Sequence, residues 1–145
     1  MKSLQNQKMD DALSIDIKFL ENLLDLINTD FIKFEGLISA EAIQKIEPFY
    51  YRKTWGGAGL IIKRLARLRP LRTSAIVIID PNAIHLSRLV YLLKHNLKCI
   101  YFQNKDAFYY GIGKTLLDHQ GADLAHQCAI IIKYAISFLE EFKQC

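Results

Sequence analysis

The chain has 145 residues, of which 51% are apolar and 23% charged, with a formal net charge of +4. That balance fits one globular domain spanning 1–145 and excludes intrinsic disorder, collagen-like repeats and a disulfide scaffold. The longest stretches without a charge, Thr54 to Ile62 and Leu124 to Ile132, are nine residues each, against the roughly 20 apolar residues of a membrane-spanning helix.

From Asp10 to Phe31 the apolar positions Leu13, Ile17, Leu20, Leu24, Ile27 and Phe31 recur in alternating steps of four and three, which predicts an amphipathic helix. Phe19, Leu23 and Leu26 widen the stripe, and Asn28-Thr29-Asp30 reads as its end. Phe31 to Gly36 is ambiguous between strand and loop, whereas Ser39 to Ile46 offers an N-cap followed by helix formers before Pro48. Phe49 to Trp55 is rich in β-prone aromatics but alternates poorly. Gly56-Gly57-Ala58-Gly59 then predicts a turn leading into a helix from Leu60 to about Leu68, closed by Pro70.

Ala75-Ile76-Val77-Ile78-Ile79 is a continuous apolar run within Ser74 to Asp80 and predicts a strand covered on both faces. A helix from Ala83 to Lys94 and a second strand from Leu97 to Phe102 would complete a right-handed βαβ unit. Asp106 to Gly113 reads as strand or loop, and the stripe Leu124, Cys128, Ile131, Ala135, Leu139 and Phe142 predicts a C-terminal helix. The expected architecture is therefore α/β, with strands at 74–80 and 97–102 flanked by two long amphipathic helices. A mostly helical bundle that absorbs the apolar runs is the rival.

The charge is unevenly spread. Met1 to Glu47 carries five basic and nine acidic residues, net −4, while Asp80 to Cys145 carries seven basic and six acidic, net +1. Between them, Pro48 to Ile79 holds Arg52, Lys53, Lys63, Arg64, Arg67, Arg69 and Arg72 and no acid at all, net +7. On the expected helix from Leu60, Lys63, Arg64 and Arg67 lie opposite Ile61, Leu65 and Leu68. Arginine forks suit bidentate contact with phosphate, and the neighbouring Tyr50, Tyr51 and Trp55 suit base stacking. These residues make the segment the candidate nucleic-acid or phosphate site; the alternative is that it folds back on the acidic helix of its own chain.

Other constellations are weaker. The Gly56 to Gly59 turn could present backbone N–H groups to an anion but fails the dinucleotide fingerprint, having Ile62 where a third small residue belongs, and Gly113-Lys114-Thr115 copies the end of a P-loop with Phe108 in place of its first glycine. Ile78-Ile79-Asp80-Pro81-Asn82-Ala83 resembles the first strand of PIN/NYN-type metal-dependent ribonucleases. That resemblance implies a metal-binding carboxylate at Asp80, although here the strand sits mid-chain and capping of the helix near Pro81 is the favoured role of Asp80. Arg88 and His95, with His85 before them, resemble the Arg-to-His spacing of HEPN-type ribonucleases, but Leu89 stands where that family has a polar residue. His119, Asp123 and His126 follow i, i+4, i+7, with Gly121 among them and Cys128 on the apolar stripe, so two histidines on an exposed helix face are expected rather than a four-ligand site. Cys145 is terminal and has no positioned base.

The sequence thus favours a non-enzymatic module that binds RNA, DNA or another polyanion and no membrane, with no cofactor, no metal and no assigned catalytic residue. Its alternatives are an interaction or oligomer subunit that docks a protein partner or second copy on the helix 10–31, and a metal-dependent phosphodiester hydrolase around Asp80. The first eight residues hold no apolar segment of signal-peptide length, and Cys99, Cys128 and Cys145 are too far apart for a bridged framework, so a reducing cytoplasm is the expected compartment.

Overall fold

A computed structural model describes residues 4–39, 49–54, 60–64, 75–78, 81–98 and 101–143. Five helices build the core: α1 (Leu4–Thr29), α2 (Phe31–Ile38), α3 (Ala83–Asn96), α4 (Tyr101–Asp118) and α5 (Leu124–Lys143). Three short strands, β1 (Phe49–Thr54), β2 (Leu60–Arg64) and β3 (Ala75–Ile78), pair antiparallel in the order β2-β1-β3.

The α/β expectation is overturned, and a helical bundle fits instead. The buried apolar cluster is built from side chains of all five helices and of Leu97, the cap that ends α3. No βαβ unit exists among the described residues, because β3 runs antiparallel to β1 and the described residues of the second expected strand, 97–98 and 101–102, are not in a strand. Leu97 closes α3 by donating its N–H to the Leu93 carbonyl, and Tyr101 already opens α4. The β-prone run 97–102 loses to longer-range packing: Phe108, Ile112 and Leu116, spaced by four, are buried in the common core and hold 101–118 as a helix. Helix α4 therefore also takes in Asp106 to Gly113, with a kink at Asn104 where φ is −124° and ψ is 17°.

Helix α1 forms as its periodicity requires, burying Leu13, Ile17, Leu20, Leu23 and Ile27. Its principal neighbour is α5, which turns Cys128, Ile131, Ile132, Ala135 and Leu139 inward. A single residue, Asp30, separates α1 from α2: its side chain accepts from the Lys33 N–H at 3.2 Å, so it caps a helix where strand or loop was expected. Ser39, read as an N-cap, instead ends α2 by donating its N–H to the Glu35 carbonyl at 2.9 Å, and the expected helix beyond it lies outside the described residues.

Of the three polar side chains buried among the described residues, Ser87 bonds within its own helix and the other two tie elements together. Asp16 is 1% exposed, and its carboxylate oxygens accept the Lys98 N–H at 2.8 and 2.9 Å, tying α1 to the chain after α3. Gln127, fully buried, accepts from Asn82 Nδ2 at 2.7 Å and so joins α5 to the start of α3. Helices α4 and α5 approach closely at Gly111, where a Cβ would overlap the ring and hydroxyl of Tyr134. There Phe108 packs against Tyr134 and Phe138, with ring centroids 5.8 and 5.2 Å away.

Candidate functional site

The basic segment is the largest chemical anomaly of the chain, and its backbone differs from expectation. Leu60 to Arg64 is strand β2 rather than the first turns of a helix, so the separation of Lys63 and Arg64 from Ile61 by helical period does not hold. The β-branched pair Ile61-Ile62 favours the extended form, and the five residues linking β1 to β2 include Gly56, Gly57 and Gly59. In the resulting ladder Tyr50 is the partner of Lys63, Phe49 of Arg64, Arg52 of Ile61 and Lys53 of Leu60. Directly paired positions on antiparallel strands bring their Cβ atoms to about 5 Å. Strand β3 supplies the other edge, pairing Tyr51 with Ile78 and Arg52 with Val77. Helix α3 lies against β1 and α4 against β2. Trp55, Arg67, Arg69, Arg72 and the Gly56–Gly59 turn lie outside the described residues.

The remaining candidates separate clearly. Asp80 is outside the described residues, and Asn82 rather than Asp80 occupies the N-cap position of α3, making no side-chain cap bond because its amide is turned to Gln127. Gly113-Lys114-Thr115 sits inside α4, where the backbone is helical and cannot form a phosphate-cradling loop. Arg88 and His95 share α3 but stand two turns, about 10 Å, apart, so one chain does not bring them together. His95 packs on Tyr91 with ring centroids 4.0 Å apart. His85 Nδ1 and Arg88 Nε, one turn apart on α3, are buried and have no hydrogen-bond partner among the described residues.

His119, Asp123 and His126 do not lie on one helix. Helix α4 ends at Asp118 and α5 begins at Leu124, and Gly121 turns the chain between them at φ +84°. His119 Nδ1 lies 2.8 Å from the Thr115 carbonyl, and Asp123 accepts the His126 N–H at 2.7 Å as the cap of α5. The turn brings the two imidazoles to 5.4 Å between ring centroids. The signals for this corner were in the sequence, in Gly121 and in an aspartate three residues before His126. Cys128 is buried on the α5 stripe, where burial, with Glu35 adding to it, pushes its thiol pKa up to about 12. It is therefore no nucleophile at neutral pH.

Among the described residues no helix is long and apolar enough to cross a membrane. Comparison with models of protein families, with curated proteins and with solved structures finds no match to this chain.

Proposed function

We propose that this protein is a non-catalytic binding module for nucleic acid, RNA or DNA, acting through the basic and aromatic residues between Phe49 and Arg72. The observation that carries the reading is the +7 segment without an acid, drawn into a ladder whose register sets aromatic positions opposite basic ones, Tyr50 to Lys63 and Phe49 to Arg64. Arg52, Lys53, Lys63, Arg64, Arg67, Arg69 and Arg72 neutralise phosphates, and Tyr51 and Trp55 stack on bases. A reducing cytoplasm suits the free thiol of Cys128. Docking of a protein partner on α1 has less to recommend it, because the apolar stripe of that helix is already turned onto α5 and its exposed residues are mostly charged or polar, Met9 and Ile15 excepted.

The test is fluorescence anisotropy of labelled single-stranded RNA and of duplex DNA, titrated over a range of salt. If four of the basic residues contact phosphate, the logarithm of the single-strand affinity falls with log salt at a slope of about −3. An Arg64→Glu/Arg67→Glu/Arg72→Glu variant with the same far-ultraviolet circular dichroism as the parent loses the binding. Absence of binding to either probe at low salt, or a folded variant that binds as well as the parent, overturns the reading.

A further inference from the structure

The corner between α4 and α5 holds two histidines whose positions are fixed by the backbone. His119, just past the end of α4, donates its own N–H to the Leu116 carbonyl at 3.1 Å and has Nδ1 2.8 Å from the Thr115 carbonyl. A carbonyl oxygen only accepts, so Nδ1 carries the proton and the lone pair of the ring is on Nε2. That is the arrangement by which the rings of metal-ligating histidines are oriented. His126 is exposed in the first turn of α5, held there by the bond from its N–H to Asp123 Oδ1 at 2.7 Å.

The separation of the rings matches a shared ion. An imidazole nitrogen binds Zn²⁺ at about 2.0–2.1 Å, which puts the ring centroid about 3.2 Å from the metal, and two such rings at a tetrahedral angle have centroids about 5.2 Å apart. The observed distance is 5.4 Å. A square-planar right angle would bring the centroids to about 4.5 Å, so the pair suits a tetrahedral ion better than a square-planar one. Among the described residues no third His, Cys, Asp or Glu joins the group, which leaves two of four positions to water or to a ligand from outside.

We propose that His119 and His126 form an open two-histidine site for a divalent transition ion of tetrahedral preference, Zn²⁺ being the natural occupant, and that the ion clips α4 to α5 across the Gly121 turn. This departs from the sequence expectation of no metal, which treated the residues as one helix face, and it stands independently of nucleic-acid binding. An ion that binds the folded corner and not the open chain stabilises the fold by mass action.

Thermal unfolding of the full chain with and without Zn²⁺ tests it, in the parent and in His119→Gln, His126→Gln and His95→Gln variants. At a hundredfold excess of Zn²⁺ over its Kd the parent and His95→Gln gain about 8 °C in Tm, while His119→Gln and His126→Gln gain nothing, whatever their metal-free Tm. Co²⁺ added to the parent gives the visible absorption of a tetrahedral site, absent in the same two variants. No Zn²⁺-dependent rise in the parent, or a rise that survives loss of either histidine, overturns the proposal.

Discussion

The helical core and the basic segment are held together by different means. In the core, α1 and α5 face each other along stripes many turns long, and buried Asp16 and Gln127 add bonds that link residues distant in sequence. The basic segment contributes strands of six, five and four residues, whose stability comes from ladder pairing and from the helices that lie against them. The two regions also differ in charge, since Pro48 to Ile79 carries +7 while the rest of the chain is −3. Seven cations in one stretch without an acid cost electrostatic free energy that a counter-charged ligand relieves.

The sharpest way to break this contrast is to damage the core. Leu20 is fully buried between α1 and its neighbours, so Leu20→Ala removes apolar contact and leaves a cavity, and it lowers the unfolding free energy by about 2–5 kcal/mol. Urea denaturation followed by circular dichroism measures it. A loss below about 1 kcal/mol would show that α1 is not part of a cooperative core, and the helical region would then stand on no firmer footing than the strands.

How much of this was legible depended on the length of the pattern. Helices α1, α3 and α5 followed from apolar spacing sustained over several turns, which tertiary packing reinforces. Helix α4 did not, since Gly111 and Gly113 are poor helix formers and Tyr101 and Phe102 favour strands. Its glycine at 111 makes sense only through a long-range contact, the crossing of Tyr134 from α5. Residues 60–64 failed in the opposite direction: the run Leu60-Ile61-Ile62-Lys63-Arg64 is too short for periodicity to tell helix from strand, and pairing with β1 decided it. At the candidate site the basic composition was visible, whereas its register opposite Tyr50 and Phe49 was not, because register is set across strands rather than along them. The histidine corner was hidden by reading one helix through Gly121.

A second test probes how tightly the core is closed. In the folded chain the Cys128 thiol pKa is raised from 9.0 to about 12, chiefly by burial. The folded thiol therefore keeps its proton above pH 9, where the unfolded chain gives it up. Stability owed to the protonated buried thiol is fully present below pH 9 and declines as pH climbs toward 12, by about 1.4 kcal/mol per pH unit, the slope of one proton. Tyr134, also raised by burial and by Glu141, adds a loss of the same sign. Denaturation midpoints between pH 8 and 11 in the parent and in Cys128→Ala isolate the thiol: the variant lacks one proton's worth of the slope. Equal slopes would mean that Cys128 is wet, and the core looser than its packing implies.

The smallest effect bears on the other region. Strands of four to six residues open at lower free energy than the long α1–α5 contact, so amide exchange in β1 and β2 is expected to proceed by local opening and in the buried stretch of α1 by global unfolding. A single-stranded oligonucleotide that binds the closed strands at ten times its Kd stabilises them by about 1.4 kcal/mol, and it slows exchange of the Phe49–Arg64 amides about tenfold. If the nucleic acid does not bind the unfolded chain, amides of Leu13 to Ile27 slow by up to the same factor where they exchange only through global unfolding. The discriminating signal is therefore the fast-exchanging class. Strand amides must join the slowed set while equally fast amides at exposed helix ends, such as Asn28 and Thr29, stay unchanged. Slowing at those helix ends without slowing in the strands would place the bound oligonucleotide on the helices and remove the basic ladder as its site.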